Sequence, residues 1–371
     1  MRRWSVVMLG LAGVLVGVEA GAVEAGGEAS AWHFESLSAD GKRALLRRLD
    51  PEMRSAFDVR VVDVASGVVT EETRLAEMAR VPASTIGGKA AELKELEFML
   101  ASPAFGRDLV QSARIASAFP FGACGRLAAG PAAIAFDAGD WLYVADAEGR
   151  VRRRVVEEAA YDPRLSADGK WLFFRRATGR LDGALARYEL FVAPADLSAP
   201  PKVLPNTAGV RAARFAAHPD GQTAVALTVR PESACFVSIG LKPPFPTKKT
   251  ACLETDGRVV ESVVSPKGKW AAVSTKKRGD AHWRVRVVSL ATGKVMRDEA
   301  DAAGHALRAI SDAGLLVESG ARDAIVVDVT TSKVRALPPA LDLGHRGFFK
   351  NDTELVYATN GTVAVLDVTK D

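Results

Sequence analysis

Some chemistries are missing from this 371-residue chain. It has only five histidines (His33, His218, His282, His305 and His345), and none stands at ligand spacing from another His, Cys or carboxylate, so no metal site is expected. There is no G-x-S-x-G nucleophile elbow, no Walker loop and no Asp-rich calcium loop. Ile86-Gly87-Gly88-Lys89 is too short to cradle phosphates. No basic block is interleaved with aromatics, which argues against a nucleic-acid partner. Past the N-terminus no apolar run is long enough to span a membrane, so no span is expected in the mature chain. No cofactor is called for.

Composition is otherwise ordinary. Hydrophobic residues make up 48% and charged residues 25%, and the net charge is +4. That mild excess permits an anionic partner without requiring one. The N-terminus carries Arg2-Arg3, an uncharged apolar run to Val18 and then small residues to Ala25. This is the layout of a secretory signal peptide over 1–25, with cleavage after Ala22 or Ala25. A secreted or periplasmic protein is expected. Of the three cysteines, Cys235 and Cys252 flank Pro243-Pro244 symmetrically. A hairpin centred there brings them face to face, and either a disulfide or two buried thiols is possible. Cys124 is left over.

What the chain does have is repetition. RLSADGKWLFFRR (164–176) has counterparts in ESLSADGKRALLRR from Glu35, AIAFDAGDWLYVAD from Ala133, ESVVSPKGKWAAVST from Glu261 and three more. Each is an apolar segment, a polar turn and a second apolar segment, which is a hairpin signal. The turns begin at Ser38, Phe136, Ser166, His218, Ser265, Ser311 and Lys350. Most copies continue into a second hairpin, such as WRVRVVSLATGKVMRDE. Four strands in roughly 40 to 50 residues make one blade of a β-propeller. Such a sheet cannot cover both its apolar faces alone, but several around an axis can.

The fold class expected is therefore all-β: about seven four-stranded antiparallel blades over 31–371. The Ser166–Lys170 and Ser265–Lys269 turns resemble the S-P-D-G-K repeat of TolB-like and WD-repeat-like propellers. The stretch from Gly130 resembles an NHL blade. The resemblance implies a fold and almost nothing about activity. In it, Asp168 and Gly169 stabilise a hairpin, and Trp171 and Trp270 fill space between blades. The last copy has three strands, and residues just before Trp32 are candidates for the fourth.

The 98 residues between the first two turns hold an insertion, 84–118, between blades one and two. Leu93, Leu96, Met99 and Leu100 recur at helical spacing, Pro103 stops that run, and a second helix is expected over Arg107–Ala116. The pair either packs on the propeller or docks a partner.

Two loops between second and third strands are long and basic. One carries Arg175, Arg176, Arg180 and Arg187, and the other Lys276, Lys277, Arg278 and Arg284. Each has an excess of about three positive charges, and the two could flank one rim of the propeller mouth and meet an acidic protein or an anionic polymer. The sequence favours a non-catalytic binding or scaffolding module with a cell-envelope protein partner. The alternatives are a lyase- or glycosidase-type propeller enzyme, or a small-anion or sugar sensor at the channel mouth.

Overall fold

The computed structural model is a seven-bladed β-propeller. It describes residues 32–75 and 97–370, apart from 39, 50–56, 99, 120–122, 125–126, 139–140, 157–159, 182–184, 208–213, 218–221, 231, 278–281, 302–303, 321–322, 339–346 and 360. The expected signal peptide and the residues before Trp32 lie outside these.

Blade one is β1 (His33–Leu37), β2 (Arg43–Leu49), β3 (Phe57–Asp63) and β4 (Val69–Leu75). Helix α1 (Pro103–Ala116) follows. Blade two is β5 (Ala123–Cys124), β6 (Leu127–Ala129), β7 (Ala133–Ala138), β8 (Trp141–Asp146) and β9 (Val151–Val156). Blade three is β10 (Ala160–Leu165), β11 (Trp171–Leu181), β12 (Leu185–Pro194) and β13 (Lys202–Val203). Blade four is β14 (Arg214–Ala217), β15 (Thr223–Arg230), β16 (Ser233–Gly240) and β17 (Thr247–Glu254). Blade five is β18 (Arg258–Val264), β19 (Trp270–Lys276), β20 (Trp283–Ser289) and β21 (Val295–Asp301). Blade six is β22 (Ala306–Ile310), β23 (Leu315–Ser319), β24 (Ala324–Asp328) and β25 (Lys333–Ala336). Blade seven is β26 (Phe348–Phe349), β27 (Glu354–Thr359) and β28 (Thr362–Asp367). Strands pair in chain order within every sheet, all antiparallel.

The opening repeat is turn chemistry. Ser166 Oγ donates to Asp168 Oδ1 at 2.6 Å and accepts the Trp171 N–H at 3.0 Å. The Asp168 carboxylate accepts the Lys170 N–H, and Gly169 sits at φ +69°, where a Cβ is strained. Ser38, Asp40 and Gly41 repeat this arrangement in blade one.

Trp171-Leu172-Phe173-Phe174 does not alternate apolar with polar, and the ring explains why. Leu172 and Phe174 face blade two, and Phe173 faces blade four. A strand covered on both faces is apolar throughout. Each fully buried Phe contributes about 1.5–3 kcal/mol. The described core divides into seven clusters, one for each neighbouring pair of blades. The seventh joins Trp32, Phe34 and Leu46 of blade one to Val356 and Val363 of blade seven and so closes the ring. Phe34 stacks on Phe348 at 5.0 Å, and Arg60 donates to the Gly361 carbonyl at 3.1 Å.

Two expectations change. In blade two the first turn is Gly130–Ala133, one strand earlier than the Phe136 turn. Gly130 packs against Gly169, the corresponding turn of blade three, and β5 adds a fifth strand. Helix α1 starts at Pro103, not Arg107. Ser102 caps it by accepting the Phe105 N–H at 3.2 Å, and proline suits the first helical position. The helix is packed into the propeller. Phe105, Leu109, Ala113 and Ile115 share a cluster with Leu45 and Val59 of blade one and Phe136 and Tyr143 of blade two. Arg114 also pairs with Glu71 of β4. Of the first expected helix, only Glu97, Phe98 and Leu100 are described.

Candidate functional site

The second-to-third-strand end of blade three is built around one outlier. Asp162 has φ +54°, inside a bulge between Tyr161 and Arg164 of β10. A left-handed residue with a Cβ costs about 1–2 kcal/mol. Its N–H donates at 3.1 Å to Oδ2 of Asp137, a blade-two side chain only 1% exposed. The Asp162 carboxylate then meets Arg175 Nε at 2.5 Å. The Arg175 guanidinium lies 5.8 Å from the Tyr161 ring and 5.1 Å from the Tyr188 ring, and the two tyrosines stand edge to face at 6.2 Å. Register sets this up: Tyr161 is opposite Arg175 and Tyr188 is opposite Ala177. Next to it, Arg176 lies 5.8 Å from Phe191, which stacks on Phe174.

The segment expected as a long loop is instead a continued hairpin. β11 and β12 stay paired out to Leu181 opposite Leu185. Arg180 is opposite Ala186 and Arg187 is opposite Gly179, which places both on its outer part.

The equivalent end of blade five carries the second basic group. Lys276 Nζ lies 5.9 Å from the Trp283 ring, and Lys277 is exposed. Arg278 lies outside the described residues. Arg284 donates to Asp298 at 2.6 and 3.0 Å and lies 3.6 Å from Asp256. Arg286 joins both carboxylates, at 3.4 Å to Asp256 and 3.2 Å to Asp298. The Arg284 hydrogen bond, with Arg286 beside it, holds the Asp298 carboxyl below the usual range. Burial opposes ionisation of Asp256, but its own backbone N–H and the two guanidiniums outweigh that and lower it as well.

The basic loops are therefore not bare positive rims. Asp162 offsets Arg175, and Asp256 and Asp298 offset Arg284 and Arg286. The two groups stand on blades three and five, with blade four between them. Tyr161, Asp162, Tyr188, Asp256 and Asp298 escaped sequence reasoning because their pairing depends on cross-strand register and on one bulge.

Cys235 lies opposite Cys252 in β16 and β17, with Cα atoms 4.0 Å apart and the sulfurs joined. Among the described residues no cluster of three or more His, Cys, Asp or Glu could hold a metal, and no helix is long and apolar enough to cross a membrane.

By sequence the chain matches no family model, and no curated protein matches it. By structure it is similar to TolB from Acinetobacter baumannii, at 16% identity and TM-score 0.33, over 89% of this chain and 78% of that one. Dipeptidyl peptidase 4 from Porphyromonas gingivalis matches at 13% identity and TM-score 0.49, over 91% and 58%. An oligogalacturonate lyase in complex with manganese matches at 11% identity and TM-score 0.47, over 90% and 89%. The likeness is one of fold. Propellers of such different function assign no activity to this chain.

Proposed function

We propose that this protein is a non-catalytic β-propeller binding module, secreted or periplasmic, whose partner is another protein of the cell envelope. The observation that carries the reading is the fixed cluster of Tyr161, Asp162, Arg175 and Tyr188 at the base of the long β11–β12 hairpin. Strained residues and bulges persist where surrounding structure over-determines them, and they gather at functional sites. Tyrosine and arginine are the side chains that dominate protein interfaces. Here each is held by a neighbour, which lowers the entropy lost on docking. The hairpin extends the surface beyond the blade and carries the remaining arginines.

The test is affinity capture of the tagged mature chain from its own host after crosslinking. It is run beside a variant in which Asn-Gly replaces residues 178–187, closing the hairpin at Ala177 and Tyr188. One stable protein partner, lost in the shortened variant, is the expected result. A purified protein that turns over a substrate, with turnover abolished by Asp162→Ala or Arg175→Ala, overturns the reading in favour of a propeller enzyme.

A further inference from the structure

The opposite end of the propeller has a different electrostatic character. There, a groove of about 340 Å³ opens between blades four and five. Its apolar walls are Val225 of β15, Val264 of β18 and Leu290 just after β20. Ser238 and Thr250 also line it, and Thr250 Oγ1 donates to the Phe236 carbonyl at 3.1 Å. Lys267 and Lys269 of the β18–β19 turn form part of its lining.

Two more lysines, outside its lining, neighbour the lining residues in register or in the same turn. Lys248 is opposite Ser238 in the β16–β17 register, so the two side chains leave the same face of the sheet. Lys294 closes the Ser289–Lys294 turn that supplies Leu290 and Ala291 to the groove. All four lysines are exposed, and among the described residues none is ion-paired. The nearby Asp312 carboxylate is already engaged by the backbone N–H of Lys267, at 3.0 and 3.1 Å, and is largely buried. At the opposite end Arg175, Arg284 and Arg286 meet carboxylates, while Arg176 and Lys276 lie against aromatic rings.

We propose that this groove binds an acidic polypeptide segment. An aliphatic side chain seats on Val225, Val264 and Leu290, and flanking carboxylates meet the four lysines. Ser238 and Thr250 offer oxygens to the segment's backbone N–H groups. The groove lining includes no aromatic side chain on which a base could stack, which disfavours single-stranded nucleic acid. Its concave apolar floor suits a side chain better than a flat array of lipid headgroups. This site lies apart from the blade-three cluster and does not depend on the reading given to that cluster.

The test is fluorescence anisotropy with the intact mature chain and a labelled Glu-Glu-Leu-Glu-Glu peptide. The variants are Lys267→Gln with Lys269→Gln, and Ala291→Trp to fill the groove. All three positions are exposed, and thermal melting confirms that the variants fold. Lys42→Gln, in the equivalent turn of blade one, is the control. The expected result is saturable binding, weakened about tenfold or more by either variant, unchanged by Lys42→Gln, and weakened as salt shortens the screening length below about 10 Å. Absence of saturable binding overturns the proposal. So does binding that Ala291→Trp leaves intact, because that is diffuse charge attraction outside the groove. Equal or tighter lysine-dependent binding of phosphatidylglycerol vesicles or an oligonucleotide overturns it in favour of that anion.

Discussion

Gly106 of α1 and Gly149 of the β8–β9 turn meet backbone to backbone. A Cβ on Gly106 would lie 3.2 Å from the Gly149 carbonyl oxygen, and one on Gly149 would run into the Gly106 carbonyl and lie 2.9 Å from Val110 Cγ2. Gly149 also sits at φ +78°. The contact seats the inserted helix on blade two. Gly149→Ala therefore combines left-handed strain of about 1–2 kcal/mol with overpacking of about 1–3 kcal/mol. Gly304→Ala, at φ +69° with no described residue within 4 Å, brings the strain alone. Urea midpoints should fall further for Gly149→Ala, and equal losses would mean that the helix is not seated there.

The same packing gives the described helix of the insertion a measurable share in stability. Leu109 is 1% exposed, whereas Phe98 just before the helix is 83% exposed. Leu109→Ala is expected to cost about 2–5 kcal/mol, and Phe98→Ser less than about 0.5 kcal/mol. Deleting 87–115 should give an insoluble chain rather than a propeller lacking a dock, because it strips cover from Leu45, Val59 and Phe136. A soluble, cooperatively melting deletion variant would contradict this.

Cys235 and Cys252 close a loop of 17 residues. Chain-entropy arguments give a crosslink of that length about 3 kcal/mol. Cys235→Ala with Cys252→Ala should lose roughly that much in denaturant unfolding, and reductant should have no further effect on the double variant. Free thiols at both positions by mass spectrometry, in protein taken from its own host, would contradict the bridge.

Several turn aspartates add to the pH dependence of stability. The Ser38 hydroxyl lowers the Asp40 carboxyl and the Ser166 hydroxyl lowers Asp168, while Thr369 holds Asp367 down to about 2. A carboxyl lowered by folding stabilises the protein above its unfolded pKa, about 3.9, and that contribution is lost as pH falls through the folded value. Ser166→Ala should raise the Asp168 pKa toward the ordinary value in a carboxyl-carbon NMR titration. The stability gap between wild type and variant should be widest at neutral pH and shrink below about pH 4. A gap that widens in acid would reverse the assignment.

The ring was legible in the sequence wherever turn chemistry repeats, because a Ser and a Gly set at fixed offsets can make only a few turns. Ser166–Lys170 and Ser265–Lys269 fall where the repeat places them. Blade two escaped because its first strand is only Leu127–Ala129 and its turn, from Gly130, has neither the Ser at its first position nor the Gly at its fourth. The charge balance was not legible. Asp298 is twelve residues past Arg286 and becomes its cross-strand partner only through the β20–β21 register. Likewise, nothing local marks Asp162 as the residue that bulges, since the group that holds it, Asp137, belongs to another blade.

The proposed docking of a protein at the blade-three end can be probed with a photoreactive amino acid at position 188 in the host cell, with position 203 on the outer strand of the same blade as control. One discrete crosslinked protein from position 188 and none from 203 is the expected result. Equal, diffuse crosslinking from both positions, or none from 188 while the protein is folded and exported, would contradict it.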